Sequence, residues 1–164
     1  MNTETTAQWL SGAAEEERRL NIDLFSRLIS AGSYIGVQAN EAMFRTEFDR
    51  SRRLVKIIIA GHTTPEEANS CLENLRSLLT DVQPGFRLFA DLSGLVFMPT
   101  AAAPYIGQIM DLCAEKGVAL VVRLLPAEPS KDIGFAIMSR FHYSPDIPIV
   151  TCATMEEAIS RLLE

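Results

Sequence analysis

The segment DLSGLVFMPTAAAPYIG, residues 91–107, holds the side chains of this chain that are best placed for chemistry. Asp91 ends an apolar run, and ligands of α/β proteins gather at the carboxyl ends of strands. Ser93 and Thr100 add hydroxyl groups, which can bond a ligand or accept a phosphoryl group. Four roles are therefore open for the segment: holding a phosphate, accepting one on Thr100, catalysis, or a simple turn.

The residues that follow Asp91 favour a structural role for its carboxylate. The next three residues, LSG, are typical of a turn whose backbone N–H groups donate hydrogen bonds to an aspartate carboxylate. A phosphate-cradling loop needs several glycines before a helix, and no glycine lies between Gly94 and Gly107. We expect Asp91 to hold the turn, with ligand binding through its carboxylate as the alternative.

Side chains for catalysis or metal binding are sparse elsewhere. His62 lies beside a predicted turn and His142 lies in RFHYSP, and neither belongs to a metal-binding or nucleophile motif. An enzyme that uses Asp91 with His62 is consequently the weakest functional hypothesis. The sequence predicts no catalytic residue, no metal site and no cofactor.

The cysteines are predicted to be structural. Cys71 and Cys113 fall on the apolar stripes of predicted helices, and Cys152 follows a predicted strand. Their number is odd, and no two have the spacing of a redox or zinc pair. We expect three buried, reduced thiols that pack as small apolar side chains.

The charge balance argues against polyanionic partners. The 164 residues carry 15 basic and 21 acidic side chains, and the formal net charge of −6 repels nucleic acid and anionic membranes. The first residues, MNTETTAQWLSG, lack the features of a secretory signal, and no apolar run reaches the roughly 20 residues that span a bilayer. We expect a cytoplasmic protein with neither nucleic acid nor membrane as a partner.

Apolar periodicity divides the chain into two parts. Residues 1–38 are predicted to form an N-terminal helical extension and linker, with a leucine stripe along a helix over 5–30. Residues 42–164 alternate strand and helix patterns in the order β-β-α-β-α-β-α-β-α, and capping boxes at Thr64 and Thr154 begin the first and last of these helices. Alternating units predict an α/β fold with a mixed, mostly parallel sheet flanked by helices.

The element order, together with FADLSGLVFMPTAAAPYIGQIMDLCAEKGVALVV, resembles the STAS family, the domain of anti-sigma-factor antagonists, stressosome scaffold proteins and sulfate-transporter tails. The resemblance covers residues 42–164. Residues 91–94 match the strand ending D-L-S-G-V of that family, and Gly117 matches its usual helix-to-strand step. The resemblance implies a STAS-like regulatory domain without catalytic activity.

The second half of the family motif departs from the pattern. Where the family has an aspartate before the phosphoacceptor, this chain has Pro99. The acceptor serine of antagonists falls on Ala101, which cannot be phosphorylated. The acceptor threonine of stressosome proteins falls on Thr100, and Ala103 fits the small residue that comes after it in the stressosome pattern. Thr100 therefore has two open roles: N-cap of a helix over 101–116, which we favour, or a cap that also accepts a phosphate.

The resemblance implies docking to another protein as the function. The predicted docking surface is the strand-to-helix junction over residues 93–108, with contacts from Ser93, Pro99, Thr100, Ala101, Pro104 and Tyr105. The implied partner is an anti-sigma factor or switch kinase, or other STAS-like proteins, and the N-terminal helix is the expected homodimer contact. The alternative is a small-ligand sensor whose pocket lies between the junction and the N-terminal helix.

Overall fold

The computed structural model describes residues 43–164 and four exposed helical residues before them, Glu15, Glu16, Arg19 and Asp23. Apart from those four, the predicted helix over 5–30 and the homodimer contact assigned to it lie outside the described residues. Residues 43–164 contain six strands and four α-helices, and none of these helices is long and apolar enough to cross a membrane.

An antiparallel hairpin opens the described domain, and alternating helices and strands follow. β1 (Met43–Asp49) pairs with β2 (Leu54–His62), as the alternating and β-branched runs predict. The other elements, in chain order, are α1 (Pro65–Leu78), β3 (Arg87–Asp91), β4 (Leu95–Phe97), α2 (Ala103–Glu115), β5 (Leu120–Leu124), α3 (Ile133–His142), β6 (Ile149–Cys152) and α4 (Met155–Leu163). Short 3₁₀ turns, Thr100–Ala102 and Pro129–Asp132, precede α2 and α3.

The sheet is mixed and mostly parallel, which confirms the predicted fold class. Its main strand order is β1-β2-β3-β5-β6, and β1 alone among these strands pairs antiparallel with its neighbour. The prediction missed β4, a strand of three residues that pairs in parallel with the end of β2. This strand lies in the segment that the sequence marks for function.

The capping boxes predicted at Thr64 and Thr154 form to different extents. At α1 the capping box is complete, because the Glu67 N–H donates to Thr64 Oγ1 at 3.2 Å and the Thr64 N–H donates to the Glu67 carboxylate at 2.9 Å. At α4 only the first half forms: the Glu157 N–H donates to Thr154 Oγ1, but the Glu157 carboxylate accepts from the N–H of Ala153.

The core lies on both faces of the sheet. One face packs against α1, α2 and α3, whose buried side chains include Leu75, Ile106 and Phe135. The other face packs against α4 through Ile159 and Leu162, which contact strand residues of β3, β5 and β6. Because helices cover both faces, the central strands can be apolar throughout, and the carboxyl ends of the parallel strands meet at one edge of the sheet.

Candidate functional site at the junction of β3, β4 and α2

Backbone hydrogen bonds anchor the junction on both of its sides. The Leu92 N–H donates to the carbonyl of Leu124 at 3.0 Å, which fixes the end of β3 against β5. The Gly61 N–H donates to the carbonyl of Gly94 at 2.8 Å, and the Thr63 N–H donates to the carbonyl of Phe97 at 2.9 Å. These two bonds fix β4 against β2. The segment between β3 and α2 is therefore held by its neighbours at several points and presents a defined surface.

Asp91 has the structural role that the sequence favours. Its Oδ1 accepts from the Ser93 N–H at 3.0 Å and from the Ser93 hydroxyl at 2.6 Å, so the carboxylate holds the turn between β3 and β4. The side chain is 0% exposed, and Oδ2 has no hydrogen-bond partner among the described residues. Because the carboxylate is fully buried, it cannot meet a substrate beside His62, which is exposed at the end of β2.

Thr100 does not cap the helix, which corrects the prediction for that residue. A 3₁₀ turn begins at Thr100 and α2 begins at Ala103, and neither start has a side-chain cap bond. The Ala102 N–H donates to the carbonyl of Pro99 at 3.0 Å, and Pro104 lies in the first turn of α2, where its missing N–H is not needed. Two prolines and backbone bonds therefore begin the helix, and the Thr100 side chain is exposed.

The predicted docking residues differ in their exposure. Thr100, Ala101 and Pro104 are exposed, whereas Ser93, Pro99 and Tyr105 are half-buried, with Tyr105 packed against the core. The sequence prediction omitted one neighbour, the Phe97 side chain, which is 54% exposed and lies with its ring centroid 6.4 Å from that of His62. Leu95 is buried and Phe97 is exposed, although residues two apart on a regular strand point to the same face; the register between β2 and β4 is irregular at Gly61 and His62. A sequence pattern does not show such an irregularity.

A groove separates the junction from α3. Its volume is about 220 Å³, and Lys131 is its one charged lining residue within the described part of the chain. The lining comes equally from the two sides: Met98, Pro99, Thr100 and Ala103 from the junction, and Lys131, Gly134, Phe135 and Met138 from α3 and the turn before it. The predicted pocket against the N-terminal helix lies outside the described residues, whereas this groove is bordered by α3.

A buried ion pair fixes α3 to the sheet beneath this groove. The Arg123 guanidinium donates from Nη2 to Asp132 Oδ2 at 3.0 Å and from Nη1 to Ser139 Oγ at 3.0 Å, while its Nε lies 2.7 Å from Asp132 Oδ1 without hydrogen-bond alignment. Ser139 Oγ donates in turn to the Phe135 carbonyl at 2.7 Å. Sequence analysis missed this network, although a lone arginine within the apolar run VALVVRLL was a signal for it.

A small cavity of about 40 Å³ adjoins the ion pair. Its lining is mostly apolar, with Arg123, Ser139 and Tyr143 as the polar members. Burial raises the pKa of the Tyr143 hydroxyl well above its ordinary value, and nearby Cys113 adds to this increase. The tyrosine is therefore neutral at physiological pH, and the polar groups here serve the packing of α3.

All three cysteines are buried, as predicted. Burial raises the pKa of the Cys71 and Cys113 thiols to about 12, and burial also raises the pKa of Cys152. The described residues contain no group of three His, Cys, Asp or Glu side chains that could hold a metal ion.

No protein-family model matches the sequence, and no curated protein matches it. Solved structures do match. An uncharacterised protein of the DUF3478 family from Shewanella loihica PV-4, with a SpoIIAA-like fold, superposes with a TM-score of 0.59 at 16% identity, over 77% of this chain and 99% of that one. This chain has a STAS-like fold.

A second match leads to the same fold. An anti-sigma factor antagonist from Mycobacterium paratuberculosis superposes with a TM-score of 0.50 at 14% identity, over 76% of this chain and 96% of that one. Identities this low establish the shared STAS-like fold alone.

Proposed function

We propose that this chain is a non-catalytic regulatory protein with a STAS-like fold, and that it docks a partner protein through the junction over residues 93–108. The observation that carries the proposal is the exposed surface of Thr100, Ala101 and Pro104, which directly follows β4, a strand bonded to β2, and surrounds the buried Ala102. A preformed surface loses little conformational entropy on binding. A structural neighbour that is an anti-sigma factor antagonist supports a protein partner, for which we propose an anti-sigma factor, a switch kinase or another STAS-like protein.

Thr100 is the proposed phosphoacceptor. The Thr100 side chain is exposed and makes no helix-capping hydrogen bond, so adding a phosphate would break no such bond. Lys131 lines the same groove, and the start of the turn before α2 tolerates added negative charge. Phosphate on Thr100 would change the charge of the docking surface without refolding. Ala101 has no hydroxyl, so the position of the antagonist serine cannot be used.

Mass spectrometry of the protein from its own cells tests the acceptor. Within residues 91–104 we expect phosphate on Thr100 and none on Ser93, because the Ser93 hydroxyl is bonded to Asp91. A Thr100→Asp variant should fold normally and change partner binding sharply, whereas Thr100→Ser should bind as the wild type does. Phosphate on Ser93 would mean that the motif has been aligned incorrectly.

Affinity capture from the source cells tests docking itself. Ala101→Arg adds a long charged side chain to the proposed surface, and Asn74→Arg adds the same side chain to an exposed position on α1. We expect a partner that is captured by the wild type and by Asn74→Arg and is lost with Ala101→Arg. Equal capture by all three proteins would exclude the junction as the docking surface.

The groove beside the junction favours a second candidate function, a small-ligand sensor. The Thr100 hydroxyl and the Lys131 ammonium could bond an anionic group, while Met98, Phe135 and Met138 would contact an apolar part. A thermal-shift screen with anionic metabolites tests this function. A ligand that raises the melting temperature of the wild type, but not of Lys131→Ala, would favour the sensor.

The N-terminal extension has a proposed role in assembly. We assign residues 1–38 to a helical extension and linker and 42–164 to the STAS-like domain, and we propose that the leucine stripe of the extension packs on the domain or on a second copy. Deleting residues 1–38 should lower the melting temperature or dissociate a dimer. An unchanged melting temperature together with an unchanged sedimentation profile would exclude this role.

A further inference from the structure

Strand β2 is buried on both of its faces. Val55 and Ile57 belong to the core beneath α1, α2 and α3. Because side chains alternate along a strand, Lys56, Ile58 and Ala60 point to the opposite face of the sheet, the face on which α4 lies. We call these three residues the β2 patch. They are 5%, 0% and 3% exposed, so the patch is covered as fully as the core.

Helix α4 does not account for this cover. It packs on β5 and β6, and the apolar cluster around it includes β2 only at Leu54. Neither Ile58 nor Ala60 belongs to an apolar cluster of the described residues, and among residues 43–164 α4 is the only helix on this face. The exposures refer to one chain by itself. The cover therefore belongs to the same chain, and residues 1–42 are the part of it that remains.

The β2 patch adjoins a buried carboxylate oxygen. Ile58 pairs with Asp91 in the parallel register of β2 and β3, so the two side chains lie next to each other on this face. Asp91 is 0% exposed, and its Oδ2 has no hydrogen-bond partner among the described residues. Buried polar atoms are normally paired, because an unpaired one costs free energy. The carboxylate thus indicates, independently of the apolar burial, that a further segment packs here.

The course of the chain leads from residues 1–42 directly to the patch. Met43 begins β1 and pairs with Ala60 of the patch. The predicted helix ends at residue 30, and the 12 residues 31–42 can span up to roughly 40 Å. The helix can therefore reach the whole patch of its own chain. A tether this short favours that contact over one with a second copy, because it gives the helix an effective concentration of roughly millimolar.

The described residues of the predicted helix show which of its sides is exposed. Glu15 and Arg19 are helical and exposed. Nine residues make about two and a half turns, so a regular helix places Leu24 opposite Glu15 and Leu28 opposite Arg19. Together with Leu20 these leucines form a stripe of roughly 12 Å, close to the roughly 13 Å length of the β2 patch. The leucine stripe therefore matches the patch in both position and length.

We propose that the helix over residues 5–30 packs on the β2 patch of its own chain, with its leucine stripe over Ile58 and Ala60. This inference rests on the proposed role of the N-terminal extension and goes beyond it, because it names the surface and assigns the contact to one chain. The sheet then has helices along both faces, as strands that are buried on both sides require. Since Asp91 beside the patch also holds the turn before β4, the contact protects the base of the docking junction.

Oxidative cross-linking tests the site. Ala60→Cys is combined in the full chain with Leu20→Cys, Leu24→Cys or Leu28→Cys in turn, and in a control with Arg19→Cys, an exposed position on the other side of the helix. At least one leucine position should form a disulfide with position 60 inside a monomer, identified by mass spectrometry of the linked peptides, and Arg19→Cys should form none. The wild type, whose three cysteines are buried, is the second control.

Two results of the cross-linking would overturn the inference. Linkage between two chains would place the contact on a second copy, and the proposed role of the extension in assembly would still stand. Linkage at none of the three leucine positions would exclude the β2 patch as the site. Neither result involves the docking partner, so the proposed docking function is tested separately.

Thiol protection tests the same contact without a cross-link. The thiol of Ala60→Cys should be alkylated slowly in the otherwise wild-type full chain, because position 60 is buried. Adding Leu24→Asp should speed this alkylation at least tenfold, since the charge removes the helix from the patch, whereas Arg19→Asp should not change it. Cys71, which is buried in the core on the other face, reports in each sample that the domain stays folded. Rapid alkylation without Leu24→Asp, or slow alkylation with it, would overturn the inference.

Discussion

Removing the carboxylate of Asp132 should destabilise the fold more than most single substitutions. Arg123 is 5% exposed and Asp132 is 8% exposed, so Asp132→Ala leaves a guanidinium buried without its anion. Breaking a buried ion pair in this way costs about 3–5 kcal/mol, against a total stability of about 5–15 kcal/mol for a typical domain. With a urea m-value of about 2 kcal/mol per M, the unfolding midpoint should fall by about 2 M.

Two further variants separate the uncompensated charge from lost packing. Ser139→Ala removes one neutral partner of Arg123 and should cost only about 1–2 kcal/mol. The double variant Arg123→Met with Asp132→Leu removes both charges and should recover most of the stability that Asp132→Ala loses. Urea unfolding followed by circular dichroism measures all of them. The reasoning would be refuted if Asp132→Ala cost less than about 1 kcal/mol, or if the double variant were as unstable as that single one.

Three further predictions concern helix starts, glycines and thiols. Thr64→Ala should lower the free energy of unfolding by about 1 kcal/mol in urea titrations, because it removes a helix cap. Thr100→Ala removes no cap and should change this free energy by less than about 0.5 kcal/mol. Equal losses would contradict the cap assignment. Gly117→Ala should lower the free energy of unfolding by at least about 1 kcal/mol in the same assay, because Gly117 has a φ of +84°. Gly134→Ala, at a position with open space around it, should leave this free energy unchanged or raise it. The reverse order would be inconsistent with these conformations. Because burial raises the pKa of Cys71 to about 12, alkylation of its thiol near pH 8 should be about a thousandfold slower in the native protein than in urea; comparable rates would indicate an exposed thiol.

The fold could be predicted because its signals are local and repeated. The run LVKIIIAG has the β-branched composition of a strand, and the Thr64 capping box with its proline marks one helix start. The three residues of β4 carry too little signal by themselves. Backbone bonds from Gly61 and Thr63 fix that strand, and a sequence pattern does not show such long-range pairing.

Helix α3 shows most clearly what the sequence could not predict. Its residues IGFAIMSRFH are apolar on more than one side, so periodicity alone does not decide which side faces the sheet. In the structure Phe135 and Ser139 face inward, where Ser139 is bonded to Arg123 of β5, while Ile137 and Phe141 are exposed. At the junction, likewise, two prolines rather than Thr100 begin the helix, although threonine is the better cap by type.

Amide hydrogen exchange of the protein with and without its captured partner tests the docking claim most directly. The proposed function predicts slower exchange in the complex for the non-proline amides within residues 93–108, with α4 on the opposite face of the sheet unchanged. Because these amides lie in one anchored segment, their protection would report contact with the partner rather than folding of the segment. Protection confined to α4, with residues 93–108 exchanging as in the free protein, would contradict the claim.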